Sequence, residues 1–142
     1  MISLRWVSSC VLVLSLVPSV ARGDDPSLAD WVQHRVEDGL LKPLANRESH
    51  SFSRARPPPH ERRVRALQTT ATPDKSGHPF VPFAIDIRFG DDQWHEDDIL
   101  GCAYAGSGKI YVKRGDGYRP ASFLLGKNED AVAGVCEAAP GS

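Results

Sequence analysis

The chain has 142 residues, a formal net charge of -1, and 41% hydrophobic and 8% aromatic residues. A charge near zero and ordinary hydrophobic content give no support to a nucleic-acid-binding or membrane-embedded class. The composition is typical of a soluble globular protein with a disordered part.

Residues 1–23 have the organisation of a secretory signal peptide. Arg5 lies in a short basic start, residues 11–17 are apolar, and the small residue Gly23 precedes Asp24. We therefore predict cleavage after Gly23 and a secreted, extracellular product. The apolar run is shorter than the roughly 20 residues that a spanning helix needs, so no integral membrane segment is expected.

Cleavage there would leave Cys102 and Cys136 in a chain bound for an oxidising compartment, where paired thiols become disulfides. Only one pairing is available. Closing that loop would stabilise the fold by roughly 3 to 4 kcal/mol. The alternative is a two-cysteine metal site, which would need His or carboxylate partners at short spacing. We favour the disulfide, and predict neither a metal ion nor a cofactor.

Residues 24–45 have the pattern of a short amphipathic helix. Asp25 is placed as the N-cap and Pro26 as the first helical residue, while Gly39 is a natural stop. The apolar stripe consists of Leu28, Trp31, Val32, Val36 and Leu40. We predict that this stripe docks on the core. A partner-binding or membrane-surface helix is less favoured, because the polar face is not basic.

Residues 46–77 are rich in arginine and proline, and we predict a flexible linker because such a segment buries too little apolar surface to offset its ordering entropy. Two other functions stay open for it. The arginines permit binding to sulfated glycans or anionic surfaces. The residues from Arg62 to Arg65 also match the minimal Arg-x-x-Arg motif of furin-type proteases, which cut exposed loops.

Residues 78–142 are predicted to form a small, mostly antiparallel sheet with one disulfide. Its strands and short apolar segments are residues 83–89, 99–105, 109–114, 123–125 and 132–136. The first strand alternates apolar and polar residues, as expected for one buried face, and Gly90 ends it. Glycine-rich turns are predicted at residues 106–108 and 115–117. The fold class is therefore mainly β, with a helix and a linker before the sheet.

Two motifs in this region have competing interpretations. An acidic cluster around Trp94 has the ligands for calcium but not the spacing, so a solvated acidic loop is favoured. Its members are Asp91, Asp92, His95, Glu96, Asp97 and Asp98. Arg114-Gly115-Asp116 is the tripeptide that integrin-type receptors recognise, although a simple tight turn is favoured there. The region has no catalytic motif, so we favour a non-catalytic protein over an enzyme.

A set of short motifs between residues 99 and 136 resembles the β repeat of natterin-like proteins and certain invertebrate mannose-binding lectins. They are Ile99-Leu100-Gly101, the run from Gly106 to Val112, Arg114, Gly126-Lys127 and Gly134-Val135-Cys136. In the lectins, the lysine of Gly-Lys and an acidic residue before the hairpin glycine contact the sugar. Lys127 matches that lysine, whereas Ala105 stands where the acid is expected. The resemblance implies a carbohydrate-binding β fold.

Sugars bind shallow surfaces through polar groups beside an aromatic platform. The candidate ligand-binding residues are Trp94, Tyr111, Asp116, Tyr118 and Lys127, with ordinary sheet packing as the other interpretation of the aromatic ones. We predict a secreted, lectin-like binding protein for a glycan or cell-surface receptor. The alternative is a precursor cut after Arg65, which would release a C-terminal effector or signalling domain.

Overall fold

The computed structural model describes residues 27–50 and 58–141, in which a helical segment packs across one face of a six-stranded antiparallel sheet. The predicted class, mainly β with a helix before the sheet, is confirmed. The predicted signal peptide, with its cleavage site after Gly23, lies outside the described residues.

The helical segment has three consecutive parts, which are α1 (Leu28–Val36), a π-helical turn (Glu37–Leu41) and α2 (Lys42–Ser49). Ser27 is the N-cap of α1, and its hydroxyl accepts a hydrogen bond from the N–H of Asp30 at 3.1 Å. The helix therefore begins with a serine cap, later than the predicted start at Asp25 and Pro26.

The prediction that the helix ends at Gly39 is wrong. A Cβ atom at this position would lie 2.8 Å from Cδ1 of Ile110, so glycine allows the helix to pack closely on the sheet. The π-helical turn also suits Pro43, which has no N–H to donate to the carbonyl of Gly39. Within this turn, the N–H of Lys42 donates to the carbonyl of Glu37, five residues back, which is the π-helical pattern.

The strands are β1 (His60–Ala66), β2 (Thr72–Pro73), β3 (Pro79–Phe89), β4 (His95–Tyr104), β5 (Ile110–Arg114) and β6 (Gly117–Pro120). Their order in the sheet is β1-β3-β4-β5-β6, and β2 pairs with β3. A 3-10 helix (Ala121–Leu125) follows β6. Both predicted turns are confirmed, since residues 106–108 lie in the connection between β4 and β5, and Gly115-Asp116 connects β5 to β6. Gly115 has a φ of 61°, which glycine adopts without strain.

The flexible-linker interpretation of residues 46–77 needs correction. Residues 46–49 belong to α2, and β1 pairs along its whole length with β3, from His60 opposite Phe89 to Ala66 opposite Phe83. Val64 points into the core and is 7% exposed. Residues 51–57 lie outside the described part of the chain. The arginine-rich sequence folds because carboxylates from other elements pair with its charges, as shown below.

The main core lies between the helical segment and one face of the sheet, which we call the helix face. Its largest fully buried side chains are Phe83, Leu40, Ile85, Val32 and Val36. The opposite face, the open face, carries a smaller buried cluster of Phe80, Cys102 and Tyr104. The predicted disulfide is confirmed, with Cys102 of β4 joined to Cys136 at a Cα–Cα distance of 5.9 Å.

Candidate ligand-binding cleft

The C-terminal segment, residues 126–141, is fastened to the open face at several points. Besides the disulfide, the N–H of Cys136 donates to the hydroxyl of Tyr104 at 2.9 Å. The N–H of Ala139 donates to the carbonyl of Pro73 at 3.0 Å, and the N–H of Val132 donates to the carbonyl of Tyr118 at 2.8 Å. These contacts hold the segment beside the end of the sheet and leave a cleft between them.

This cleft, which we call the disulfide cleft, has a volume of about 300 Å³. One wall is residues 133–135 of the C-terminal segment, and the other includes Asp74, His78, Tyr104, Ser107, Lys109 and Tyr111. A second pocket of about 290 Å³ adjoins it and shares His78, Tyr104 and Ser107. Together they form a polar and aromatic depression that spans several elements of the fold.

A buried pair, Asp74 and Tyr104, fixes the floor of the cleft. Asp74 is 5% exposed, and its carboxylate accepts hydrogen bonds from the hydroxyl of Tyr104 at 2.8 Å and from the N–H groups of Ser76 and His78 at 2.9 Å. Burial alone would raise the pKa of Asp74, but these hydrogen bonds, with the Tyr104 bond foremost, lower that pKa below its ordinary value. Burial, with Asp74 beside it, raises the pKa of Tyr104 to about 12. Asp74 is therefore charged and Tyr104 neutral near neutral pH.

Tyr111 and Lys109 supply the accessible groups at the rim. The ring of Tyr111 is half-buried and meets the ring of Tyr104 edge-on, with a centroid distance of 5.7 Å. Lys109 is exposed and has no ion pair within the described ranges, whereas Lys75, which also lines the cleft, pairs with Glu137 at 2.7 Å. The rim thus offers an aromatic ring, an unpaired cation and hydroxyl groups to a ligand.

Of the five predicted ligand-binding residues, Tyr111 alone lines the disulfide cleft. Tyr118 lies in β6 opposite Lys113, outside the lining. Asp116 is exposed at the β5–β6 turn, and Lys127 is exposed after the 3-10 helix. The structure therefore does not bring the predicted set together into one site.

Trp94, the remaining predicted residue, lies before β4 and packs against two arginines. The guanidinium carbons of Arg63 and Arg88 are 4.4 Å and 4.7 Å from its ring centroid. Such stacking is a cation–π contact that anchors the loop to the sheet. The ring of Trp94 is therefore engaged in packing within the described part of the protein.

The arginines of β1 are paired with carboxylates. Nε of Arg62 donates to Asp97 at 2.9 Å, and its guanidinium also pairs with Glu48 of α2. Arg63 and Arg65 both donate to Asp86 at 3.2 Å. This pairing removes the free basic surface that the sulfated-glycan hypothesis for these arginines requires.

The predicted cleavage site after Arg65 lies within β1, next to the last residue of that strand. A protease binds its substrate as a separate extended segment, so cleavage here requires β1 to leave the sheet. The motif formed by Arg62 and Arg65 is thus enclosed in structure rather than displayed on a loop. Cleavage stays a prediction, now with local unfolding as its condition.

Sequence reasoning missed Asp74 and Lys109 as site residues. A local signal for the first was present, because Pro73-Asp74-Lys75-Ser76-Gly77 has the composition of a tight turn stabilised by an aspartate side chain. Lys109 was included only as part of the run from Gly106 to Val112 in the natterin-like resemblance, with no binding role predicted for it. Its role depends on neighbours from distant parts of the chain, which no local pattern could reveal.

Comparisons with models of known protein families, with curated proteins and with solved structures find no match to this chain. The resemblance to the natterin-like repeat therefore stays a prediction. Within residues 27–50 and 58–141, no three His, Cys, Asp or Glu side chains form a group that could hold a metal ion. No helix in these same ranges has the length and apolar character needed to cross a bilayer.

Proposed function

We propose that the protein is a secreted, non-catalytic binding protein that takes a saccharide into the disulfide cleft. The observation that carries this proposal is the juxtaposition of Tyr111 and Lys109 at the rim of a cleft of about 300 Å³. An aromatic ring beside charged and hydroxyl groups suits a sugar, which has apolar C–H faces and polar edges. The volume is at the lower end of the range for small-ligand sites, roughly 300 to 1,000 Å³.

Rigid walls support the same proposal. The disulfide and the hydrogen bond from Cys136 to Tyr104 fix one side of the cleft, and the buried bond from Tyr104 to Asp74 fixes its floor. A wall that is already ordered loses less conformational entropy when a ligand binds. The cleft can therefore gain affinity from few direct contacts.

The acid–base properties of the Asp74–Tyr104 pair suit a structural role in a binding cleft better than general acid–base catalysis by that pair. General acid–base catalysis works best with a group whose pKa lies near the working pH. Here the pKa of Asp74 is lowered, chiefly by the Tyr104 bond working against burial, and the pKa of Tyr104 is raised to about 12. Both shifts move the pKa values away from neutral pH, so neither group changes its protonation state there. This behaviour suits a fixed structural pair.

Export of the protein is supported by the disulfide, because such bonds persist in oxidising compartments. The intact mass of the secreted protein checks this part of the proposal. We expect a chain that begins at Asp24 and has both remaining cysteines oxidised. A chain that retains residues 1–23, or one with free thiols, would contradict it.

Binding itself is tested by presenting the mature protein to an array of neutral and acidic glycans. We expect saturable binding that Tyr111→Ala and Lys109→Gln each weaken by about tenfold or more, through lost stacking and a lost charged hydrogen bond. The matched controls are Tyr118→Ala and Lys113→Gln, which change the same residue types outside the cleft lining and should leave binding unchanged.

The opposite pattern would place the ligand elsewhere. Binding that survives Tyr111→Ala but is lost in Trp94→Ala or Lys127→Ala would move the site to the residues predicted by the lectin resemblance. Absence of binding to every glycan class would overturn the saccharide proposal.

A further inference from the structure

A third pocket, which we call the Arg35 pocket, is also lined by Lys109 and Tyr111 and lies between the helical segment and β5. Its volume is about 350 Å³, and its lining includes Arg35, Gly39, Lys109, Tyr111, Pro120 and Ser122. Because Lys109 and Tyr111 also line the disulfide cleft, the two cavities share a border. A ligand bound at Tyr111 can therefore reach both of them.

The guanidinium of Arg35 is held in this pocket by the protein backbone. Its Nε donates to the carbonyl of Gly108 at 2.7 Å, which leaves the terminal nitrogens for another partner. Gly39 makes room for the group, since a Cβ atom there would lie 3.3 Å from Cζ of Arg35. Arg35 is thus a positioned cation and not a mobile surface side chain.

The pocket has positive charge without a matching carboxylate in its lining. Neither Arg35 nor Lys109 forms an ion pair with any residue in the described ranges, in contrast to the three arginines of β1. Asp38, on the same helical segment, pairs with Lys42 at 2.5 Å and also attracts Arg35 electrostatically, but it does not line the pocket. Glu129, which accepts a hydrogen bond from Ser122 at 3.2 Å, does not line the pocket.

We infer that this pocket binds an anionic group of the ligand, so that the ligand is an acidic saccharide carrying a carboxylate or a sulfate. The planar fork of an arginine matches two oxygens of such a group, and a second cation adds to the attraction. The sugar ring would lie against Tyr111 and the acidic group would lie between Arg35 and Lys109. This inference rests on the proposed function, because it assigns the ligand class of the same site.

The pocket can be tested without a glycan by titrating the isotope-labelled mature protein with inorganic sulfate at constant ionic strength. We expect saturable amide shifts at Gly39, Gly108 and Ile110 that sodium chloride does not produce. Arg35→Gln and Lys109→Gln should each weaken the apparent affinity by about tenfold, the loss typical of one charged hydrogen bond. Shifts that do not saturate would overturn the inference.

Arg47→Gln is the matched control for this titration. Arg47 also lies on the helical segment and donates to a backbone carbonyl, that of Leu124 at 3.1 Å, but it does not line the pocket. It should retain full sulfate affinity. Equal losses in the Arg35 and Arg47 variants would mean that general positive charge, and not this pocket, attracts the anion, which would contradict the inference.

A glycan array that separates neutral, uronic-acid-containing and sulfated members tests the ligand class. Binding confined to acidic glycans and weakened by Arg35→Gln supports the inference, and comparison of the uronic and sulfated members tells which acid is preferred. Equal binding of neutral glycans would overturn the inference but leave the proposed function standing. Binding to no glycan would overturn both.

Discussion

Apolar packing holds the helical segment to one face of the sheet, whereas polar bonds and a disulfide hold the C-terminal segment to the other. On the helix face, side chains such as Val32, Phe83 and Ile85 are fully buried. On the open face, the attachments include the disulfide, the hydrogen bond from the N–H of Cys136 to the hydroxyl of Tyr104, and a few backbone bonds.

Under the proposed function, this difference separates the residues that stabilise the fold from those that would bind a ligand. The helix face buries its apolar area against water and therefore contributes most of the folding free energy. The open face keeps polar groups and a cleft accessible to solvent, and a small number of directional contacts determines its shape. Damage to the helix face should unfold the protein, while damage to the open face should first change the cleft.

Phe83→Ala should have the largest effect on stability. Phe83 is fully buried and packs against Gly101, where a Cβ atom would lie 2.7 Å from its Cζ. Removing the ring leaves a cavity, so we expect the free energy of unfolding to fall by about 3 to 5 kcal/mol. Urea denaturation measures this change.

The control for that experiment is Phe89→Ala at the end of the same strand, where the side chain is 38% exposed. Its effect should be much smaller. Equal losses in the two variants would contradict a core centred on the helix face.

The double variant Cys102→Ala/Cys136→Ala should come next. Loss of the disulfide should lower stability by about 3 to 4 kcal/mol on the chain-entropy model. The amide signals of residues 126–141 should change most, because that segment loses its covalent attachment. If the helical segment changed as much as the C-terminal segment, the two faces would not be independent.

Tyr104→Phe should have an intermediate effect. It removes the hydroxyl that donates to Asp74 and accepts from Cys136, so buried polar groups lose partners at a cost of about 1 to 3 kcal/mol. Thermal unfolding measures the loss, and Tyr118→Phe is the matched control. Ligand affinity should fall in the Tyr104 variant although its ring still lines the cleft.

The smallest effect should be a dependence of stability on acid. Burial would raise the pKa values of Asp74 and Asp86 in the folded protein, but several hydrogen bonds and charges together outweigh burial and lower both values, with Tyr104 contributing most at Asp74 and Arg65 at Asp86. A lowered folded pKa contributes stability above the ordinary pKa of 3.8 that is lost as the pH falls through the folded value. The urea midpoint should decrease as the pH is lowered through this acidic range. Asp74→Asn should make the midpoint depend less steeply on pH. A slope unchanged by Asp74→Asn would contradict this role of the buried carboxylate.

Local patterns predicted the parts of the fold that local forces determine. The strand β3, the glycine turns around β5 and the single possible disulfide were all readable from the sequence. The prediction that β3 buries only one face was wrong, because residues 83–86 are all buried. The end of the helix could not be predicted in this way, because Gly39 serves close packing against Ile110, a residue distant in sequence.

Strand β1 and the cleft escaped prediction for a related reason. The charge of β1 is neutralised by Glu48, Asp86 and Asp97, which come from three other elements. The cleft joins residues 74–78, 104–111 and 133–135, and each stretch alone looks like an ordinary turn or strand. Amino-acid composition and hydrophobic periodicity describe single segments, so they carry no information on contacts between segments that are distant in sequence.

The most direct test of the disulfide cleft as the proposed binding site is a map of amide chemical-shift changes in the isotope-labelled protein on addition of an acidic glycan selected on the array. Saturable changes should concentrate at Ser76, Lys109, Tyr111 and Gly134, which line the cleft. Changes concentrated instead around Trp94 or Lys127, with the cleft residues unaffected, would contradict the assignment.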